Sequence, residues 1–294
     1  LGLSVTDDLD ISTSIGVIRS DLSYQEDAGT NVSRMIVRGL PSTRDTEFRG
    51  FDGLPPEPFY RIEQREELNR GIASATVTHR PTEWFTHRLV GGFDWSDTQG
   101  VIFEPRLPEE SPRWYGSNSV GNKELSNARK IIQTLDYNAS ASFDLGPTWT
   151  SATTVGAQFF STETRIANAE GTDMPTPSVS TVSAAAVRTG SETFVENKTL
   201  GVFIQETVGW RDQLFVTAAV RADANSAFGE EFEEAYYPKL SGTWTVSDAD
   251  FWNVDFMESL RLRAAWGQSG QQPEAFAALQ TYAPATGPTD LPSL

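Results

Sequence analysis

Two histidines have the type and spacing to do chemistry. His79 and His87 are the only histidines in the 294 residues. The segment between them reads as a tight turn centred near Glu83, which places the two side chains opposite each other on one face of a hairpin. Neighbours about 5 Å apart across two strands could share a metal ion. No third ligand lies nearby, and the same face carries Val77 and Leu89, so the sequence favours two interfacial imidazoles over a metal site.

An acid-rich segment partly matches a calcium-binding loop. Asp223, Asn225 and Glu234 occupy the first, third and twelfth places of the loop pattern. The fifth place holds Ala227, which has no ligand atom. The sixth place, which needs glycine for its sharp turn, holds Phe228. We interpret the match as accidental and predict no calcium site.

Adjacent carboxylates are common in this chain, as at Glu109-Glu110 and Glu66-Glu67. Glycoside hydrolysis needs two acids held about 5–10 Å apart in a cleft. With 40 Asp and Glu residues, chance pairs are expected. Neither histidine stands in a plausible triad. The sequence therefore predicts no enzyme, no catalytic residue and no cofactor.

Composition excludes several classes of protein. The formal charge of −17 argues against a nucleic-acid partner, because a phosphate backbone would be repelled. The absence of cysteine excludes disulfides and thiol catalysis. No run of 18 apolar residues exists, which excludes a transmembrane helix but not a transmembrane barrel, whose strands need only every second residue to be apolar.

Ten stretches alternate apolar and polar residues with the period of a β-strand. In one of them Leu135, Tyr137 and Ala139 share a face, and Asp136 and Asn138 share the other. Several stretches exceed ten residues, which is long for a soluble strand. The predicted strands are 1–5, 9–24, 70–80, 84–97, 128–145, 149–165, 192–210, 214–222, 236–246 and 259–268. A short helical turn is possible within Asp248–Ser259.

The connections between these strands alternate in length. Short turns fall at Pro81, Gly146 and Arg211. Long polar connections occupy 25–69, 98–127, 166–191 and 224–235. Outer-membrane barrels have short periplasmic turns and long extracellular loops, so this alternation predicts such a barrel.

Aromatic residues gather near the short turns, as expected for a girdle at the headgroup level. One charge does not fit the pattern: Glu206 falls on an apolar face, where only a position near the membrane interface would make it tolerable. The predicted girdle comprises Trp84, Phe85, Trp149, Trp210, Phe215, Trp244 and Trp252.

Four cations occupy the non-lipid face of three successive strands: Arg221, Lys239, Arg261 and Arg263. In a barrel they would line the lumen as a basic ladder against which a plug or an anionic solute rests. The sequence favours the simpler interpretation, a lumen that is merely polar, with Asp and Glu as cross-strand partners.

Three segments resemble TonB-dependent outer-membrane receptors of the SusC/RagA type. Residues 259–273, SLRLRAAWGQSGQQP, are similar to that family's strand and WGxxGNQ turn. Residues 220–229, VRADANSAFG, followed by 236–244, YYPKLSGTW, resemble its RxDGSSxFG…PSxSxGW hairpin. Residues 79–87, HRPTEWFTH, resemble its YxPxxWLxL periplasmic turn. The chain departs from these patterns at Ala224, Ala227 and Gln271.

The resemblance implies an all-β fold: about ten long antiparallel strands forming part of a transmembrane barrel, with residues 1–294 in one barrel domain. Nothing resembles the plug domain or the TonB-binding box, so we expect an internal segment of a longer receptor and an incomplete barrel. A family of this kind implies the bacterial outer membrane and energised uptake of oligosaccharides or peptides. The implied partners are membrane lipid, a SusD-like surface lipoprotein and the TonB complex. The alternative from another class is a secreted, acidic, carbohydrate-binding β-sandwich with strands of about six residues.

Overall fold

Ten antiparallel strands form one sheet in the computed structural model, and each strand pairs with its neighbours in sequence. The structure describes residues 1–23, 32–46, 48–52, 61–107, 120–226, 234–254, 256–270, 285–286 and 292–293. The strands are β1 (Gly2–Thr6), β2 (Leu9–Ser23), β3 (Glu63–Thr82), β4 (Phe85–Glu104), β5 (Asn122–Asp144), β6 (Trp149–Thr172), β7 (Val187–Trp210), β8 (Leu214–Asn225), β9 (Ala235–Thr245) and β10 (Arg261–Gly267). A six-residue helix, α1 (Val32–Val37), and a pair of two-residue strands, β11 (Ala285–Thr286) and β12 (Pro292–Ser293), stand outside this sheet.

All ten predicted strands are present, and several are longer than the alternation of large apolar residues indicated. β6 and β7 have 24 residues each. Their extra length continues the ladder into charged and β-branched residues, where Ala167 pairs with Glu192 and Gly171 with Arg188. Backbone hydrogen bonds hold these ends as strand without an apolar face. The end of β6 pairs with both β5 and β7, and the end of β7 pairs with β6, since β8 pairs with β7 only from Thr199 onward.

The strand connections separate by length, as predicted, onto the two ends of the sheet. Residues 7–8, 83–84, 145–148 and 211–213 join strands at one end, hereafter the short-turn end. Residues 24–62, 105–121, 173–186 and 226–234 join strands at the other, the long-loop end. One longer connection, 246–260, also lies at the short-turn end. The helical turn considered within Asp248–Ser259 is absent from the described residues of that segment, apart from Asp248, which ends a 3-10 turn, Val246–Asp248.

The three-residue connection between β7 and β8, residues 211–213, contains a tight turn. Arg211 and Asp212 have φ values of 53° and 56°, in the left-handed region. The Gln213 N–H donates to the Trp210 carbonyl at 3.0 Å. Two consecutive positive φ values are the signature of a type I′ turn, whose twist matches that of the flanking strands.

Two of the connections at the long-loop end are tied to each other. Arg106, just after β4, donates to Asp173 Oδ1 and to the Met174 carbonyl, both at 2.8 Å. The Met174 side chain is fully buried. Gly121 has a φ of +82°, and a Cβ there would lie 2.7 Å from the Arg106 nitrogen. Glycine is therefore required where the 105–121 and 173–186 connections meet.

The sheet has two edges. β1 pairs only with β2 and β10 only with β9, so the described strands do not close into a barrel. Few large apolar side chains are buried, and many along the strands are exposed. The sheet is an incomplete barrel wall, as predicted, and not one layer of a sandwich.

Candidate functional site

One face of the sheet carries an exposed apolar surface, hereafter the apolar face. The pairing register places Ile204, Val155, Ala139 and His87 in one row across β7, β6, β5 and β4. The exposed large side chains on this face include Leu135 (49% exposed), Ile204 (49%) and Leu240 (52%). An apolar surface spread over ten strands is far larger than the patches that soluble monomers expose.

The apolar residues on the apolar face form a band whose height matches the lipid-facing band of a transmembrane barrel. On β4 it runs from Phe85 to Trp95, and the next residue on that face is Asp97. This stretch rises about 33 Å along the strand, which at a tilt of about 40° corresponds to about 25 Å of depth. The apolar band of a transmembrane barrel is about 25 Å tall.

Aromatic side chains cluster at the short-turn end of this band. Trp84 stacks on Phe143 with centroids 5.3 Å apart, and Trp149 and Trp210 lie 6.4 Å apart across β6 and β7. Trp244 contacts Phe251 at 6.2 Å. The predicted girdle residues Phe85, Trp149, Trp210 and Trp244 lie on the apolar face, Trp84 is at a turn tip and Trp252 lies in the 246–260 connection.

Phe215 differs from the other predicted girdle residues. It lies on the opposite face, because Leu214 is the residue that pairs with Trp210 and Trp244. A Cβ on Gly209 would lie 2.8 Å from the Phe215 ring. The ring therefore fills the space that this glycine leaves on the polar side of the wall.

Ion pairs mark the other limit of the band. On the apolar face beyond it, Arg165 pairs with Glu163 at 2.6 Å and Lys198 with Glu196 at 2.8 Å. Arg129 stands 3.6 Å from Asp97. Charge begins on the side of the long loops, so one end of the band is aromatic and the other is ionic.

Glu206 lies within the band, one row from Ile204, as its place in the sequence indicated. Its carboxylate accepts a hydrogen bond from Ser151 Oγ at 2.6 Å and another from Thr153 Oγ1. The sequence suggested only an interfacial position for this charge. The two hydroxyls come from β6, and only the strand register reveals them.

The opposite face of the sheet, the polar face, is held by side-chain networks. Arg70 donates to both carboxylate oxygens of Asp94. Arg221 donates to Asp223 Oδ1 at 2.7 Å and to Gln158 Oε1 at 3.1 Å. Such pairs meet the hydrogen-bonding needs of the polar side chains on this face, against which no apolar layer packs.

The four predicted cations share this polar face. Arg221 lies opposite Tyr237, Lys239 opposite Ala219, Arg263 opposite Thr243 and Arg261 opposite Thr245. They follow β9 from residue 237 to 245, about 26 Å along the strand. Among the described residues of β8–β10 on this face, Asp223 is the one acid, although the whole chain carries a charge of −17. We call these four residues the basic column.

A family model and solved structures agree with this geometry. The model for TonB dependent receptor-like β-barrels matches residues 9–293. The chain belongs to this family. No curated protein sequence matches it.

Solved structures with the same fold include those of the RagAB peptide transporter. One covers 99% of this chain with a TM-score of 0.79 at 13% identity. The RagAB peptide importer in the "closed-closed" state covers 99% with a TM-score of 0.76 at 13% identity. The chain spans 34% of the length of those chains. It is thus a section of a TonB-dependent receptor barrel, in a family of receptors and transporters of the bacterial outer membrane, and not in an enzyme family.

The segments that carry the family resemblance occupy defined places in this receptor section. Residues 79–87 form the hairpin between β3 and β4, residues 220–225 end β8, and residues 261–267 are β10. Ala227 and the motif end at 271–273 lie outside the described residues. None of the described helices is long and apolar enough to cross a membrane.

The two histidines lie directly opposite each other on the apolar face, as the turn spacing indicated. His79 Nδ1 stands 2.9 Å from His87 Nε2, and the rings are nearly perpendicular. Asp8, in the turn between β1 and β2, accepts a hydrogen bond from His79 Nε2 at 3.2 Å. A hydrogen bond from the Thr6 hydroxyl, with smaller contributions from a backbone N–H and His79, lowers the pKa of Asp8. Sequence reasoning missed Asp8 because it lies 71 residues away.

The other carboxylates weighed in the sequence do not form sites. Glu66 and Glu67 point to opposite faces of β3, so they cannot act together. Asp223 and Asn225 lie within β8, and Asp223 is bonded to Arg221. Glu109, Glu110 and Phe228 fall outside the described residues. Within the described part of the chain, no group of three or more His, Asp or Glu residues could hold a metal ion.

Proposed function

We propose that this chain forms part of the wall of a TonB-dependent importer that takes up oligosaccharides or peptides across the outer membrane. The observation that carries the proposal is the apolar band of about 25 Å on one face, backed by a polar face. A wall of this kind separates lipid from a hydrated lumen. The likeness to the RagAB peptide transporter supports peptides as the first substrate class to test.

The two ends of the band give the proposed wall a direction. The aromatic end, with its short turns, faces the periplasm, since aromatic girdles and short turns go together there. The ionic end carries the long connections, which face the outside and contact substrate or a surface lipoprotein. The TonB complex and the plug act on the parts of the receptor beyond this section.

The basic column lines the lumen in this proposal. Its cations follow one side of the wall over about 26 Å, and Asp223 alone offsets them among the described residues of that face. A surface of this charge would attract an acidic plug surface or an anionic solute. The alternative, a merely polar lumen with paired charges, fits Arg221 and Asp223 but not Lys239 or Arg263, for which no ion pair occurs among the described residues.

Adjacent residues on opposite faces allow a direct test. Leu135 lies on the apolar face and Thr134 on the polar face of β5. Single cysteines at these positions, spin-labelled in the intact receptor in lipid bilayers, should differ. The label at Leu135 should meet membrane-soluble oxygen, and the label at Thr134 a water-soluble nickel complex. Equal accessibility of both labels to the water-soluble nickel complex would contradict the proposal that this sheet is a barrel wall with one face in lipid.

Transport itself requires a separate measurement. Cells that lack the receptor should lose uptake of labelled peptides or oligosaccharides, and the intact receptor should restore the uptake of one class. Uptake that continues unchanged without TonB would contradict energised import.

The secreted sandwich fits less well. It predicts strands of about six residues in two packed sheets, whereas β3–β7 have 20 to 24 residues each and belong to one sheet.

A further inference from the structure

The histidine pair has the geometry of a metal site with two nitrogen ligands. We infer that His79 Nδ1 and His87 Nε2 bind a single Cu²⁺ or Ni²⁺ ion in cis positions, with water completing the coordination. This inference rests on the contacts of three residues at the short-turn end and does not depend on the transport function proposed above.

The distance between the ligand atoms decides the class of metal. Two nitrogens at about 2.0 Å from one ion lie about 2.8 Å apart in cis positions of a square-planar or octahedral ion, and about 3.3 Å apart in a tetrahedral ion. His79 Nδ1 and His87 Nε2 are separated by 2.9 Å. This separation is also that of the hydrogen bond that joins the two rings, so Cu²⁺ or Ni²⁺ binds when the rings turn to direct both lone pairs at the ion, without widening the hairpin. Tetrahedral Zn²⁺ requires the strands to open as well.

Asp8 prepares His79 for this role. It accepts a hydrogen bond from His79 Nε2–H at 3.2 Å, which leaves the Nδ1 lone pair free to face His87. A carboxylate on the far nitrogen of a histidine ligand fixes its tautomer and ring orientation and raises its basicity. When the ion binds, the proton on His87 Nε2 leaves to solvent and His87 takes up one proton from solvent on Nδ1, so that His87 stays neutral and its Nε2 lone pair faces the ion.

Neighbouring rings hold His87 in place. Phe85 stacks on it with centroids 5.6 Å apart, and Tyr137 lies at 6.0 Å on the other strand. The His79 side chain remains 34% exposed and that of Asp8 46% exposed. The neighbouring rings thus orient His87, and ions and water can reach both histidines from the aqueous side of the aromatic girdle.

Copper binding to the intact receptor tests the inference. The receptor, purified in detergent without a histidine tag, is titrated with Cu²⁺ and followed by electron paramagnetic resonance and calorimetry. We expect the receptor to bind one equivalent of Cu²⁺, and we expect the resonance spectrum of that bound copper to show coordination by two imidazole nitrogens. His79→Gln and His87→Gln should each remove that equivalent, and Asp8→Asn should weaken it about ten- to hundredfold.

Asp144→Asn is the matched control, because it makes the same change as Asp8→Asn at the short-turn end but at the end of β5 on the polar face, away from the histidine pair; its copper affinity should equal that of the wild type. Circular dichroism and unheated gel migration establish that each variant is folded. Unchanged Cu²⁺ binding in folded His87→Gln, or no two-nitrogen signal in the wild type, would overturn the site. Tighter binding of Zn²⁺ than of Ni²⁺ would overturn the cis geometry.

Discussion

Ser151 lies diagonally across β6 and β7 from Glu206, two residues from the position opposite it, and Ser151 Oγ donates to Glu206 Oε1 at 2.6 Å. Thr153 supplies the second hydroxyl. This contact explains how a carboxylate persists on the apolar face: its charge is met by donors within the same face.

Removing the hydroxyls of Ser151 and Thr153 should therefore reveal how much free energy it costs to place the Glu206 carboxylate on the apolar face. We expect Ser151→Ala with Thr153→Val to destabilise the receptor by roughly 1–3 kcal/mol, since an ionised group is left without partners in an apolar setting. Urea unfolding in lipid vesicles measures this change. Adding Glu206→Leu should restore most of the lost stability. If the triple variant is no more stable than the double variant, the two hydroxyls do not stabilise the Glu206 carboxylate.

Arginine at adjacent positions of β5 should distinguish the two faces energetically. Leu135→Arg places a charge in the band and should cost about 2–4 kcal/mol near the mid-plane. Thr134→Arg, one residue away on the polar face, should cost far less. Folding into vesicles with urea titration gives both values. Equal costs would mean that the band does not face lipid.

Gly201 leaves room for the network around Arg221. A Cβ there would lie 2.3 Å from Asp223 Oδ1 and would also overlap the Arg221 guanidinium. We expect Gly201→Ala to displace this pair and to lower stability by about 0.5–1.5 kcal/mol, because the displaced atoms are the ends of flexible side chains and the loss is that of their hydrogen bonds. Gly16→Ala is the matched control, because a Cβ at Gly16 meets nothing within 4 Å. A Gly201 variant as stable as the Gly16 variant would contradict the close packing.

Substitutions in the turn between β7 and β8 can raise the stability of the protein. Arg211 and Asp212 adopt left-handed backbone conformations that cost side-chain-bearing residues about 1–2 kcal/mol each. Asn-Gly is the preferred pair for this turn. Arg211→Asn with Asp212→Gly should therefore raise the unfolding midpoint in urea. A lower midpoint would show that the Arg211 contacts with Asp250 and Trp210 outweigh the backbone strain.

Alternation in the sequence was sufficient to predict the fold. Strands such as β5 were recognisable because a strand in contact with lipid on one side must repeat with period two. The far ends of β6 and β7, residues 166–172 and 187–191, were missed, since Asn168, Glu170 and Arg188 carry no apolar signal. Their strand structure depends on hydrogen bonds to neighbouring strands, which a single segment does not reveal.

The candidate sites were predictable only where the partners are close in sequence. The opposition of His79 and His87 followed from one short turn. The contacts of His79 with Asp8 and of Glu206 with Ser151 join distant residues, and they depend on which strands become neighbours. Phe215 was misplaced because proximity to a turn does not determine the face.

The order of the sheet has a consequence for how the wall is assembled. Every strand from β2 to β9 pairs with the strands that precede and follow it in the chain. Each pairing closes a loop of limited length, so a growing sheet can add one hairpin at a time at low entropic cost. A folding intermediate should therefore protect backbone amides progressively from one edge, with the β2–β3 pairing, which spans the longest connection, forming slowest.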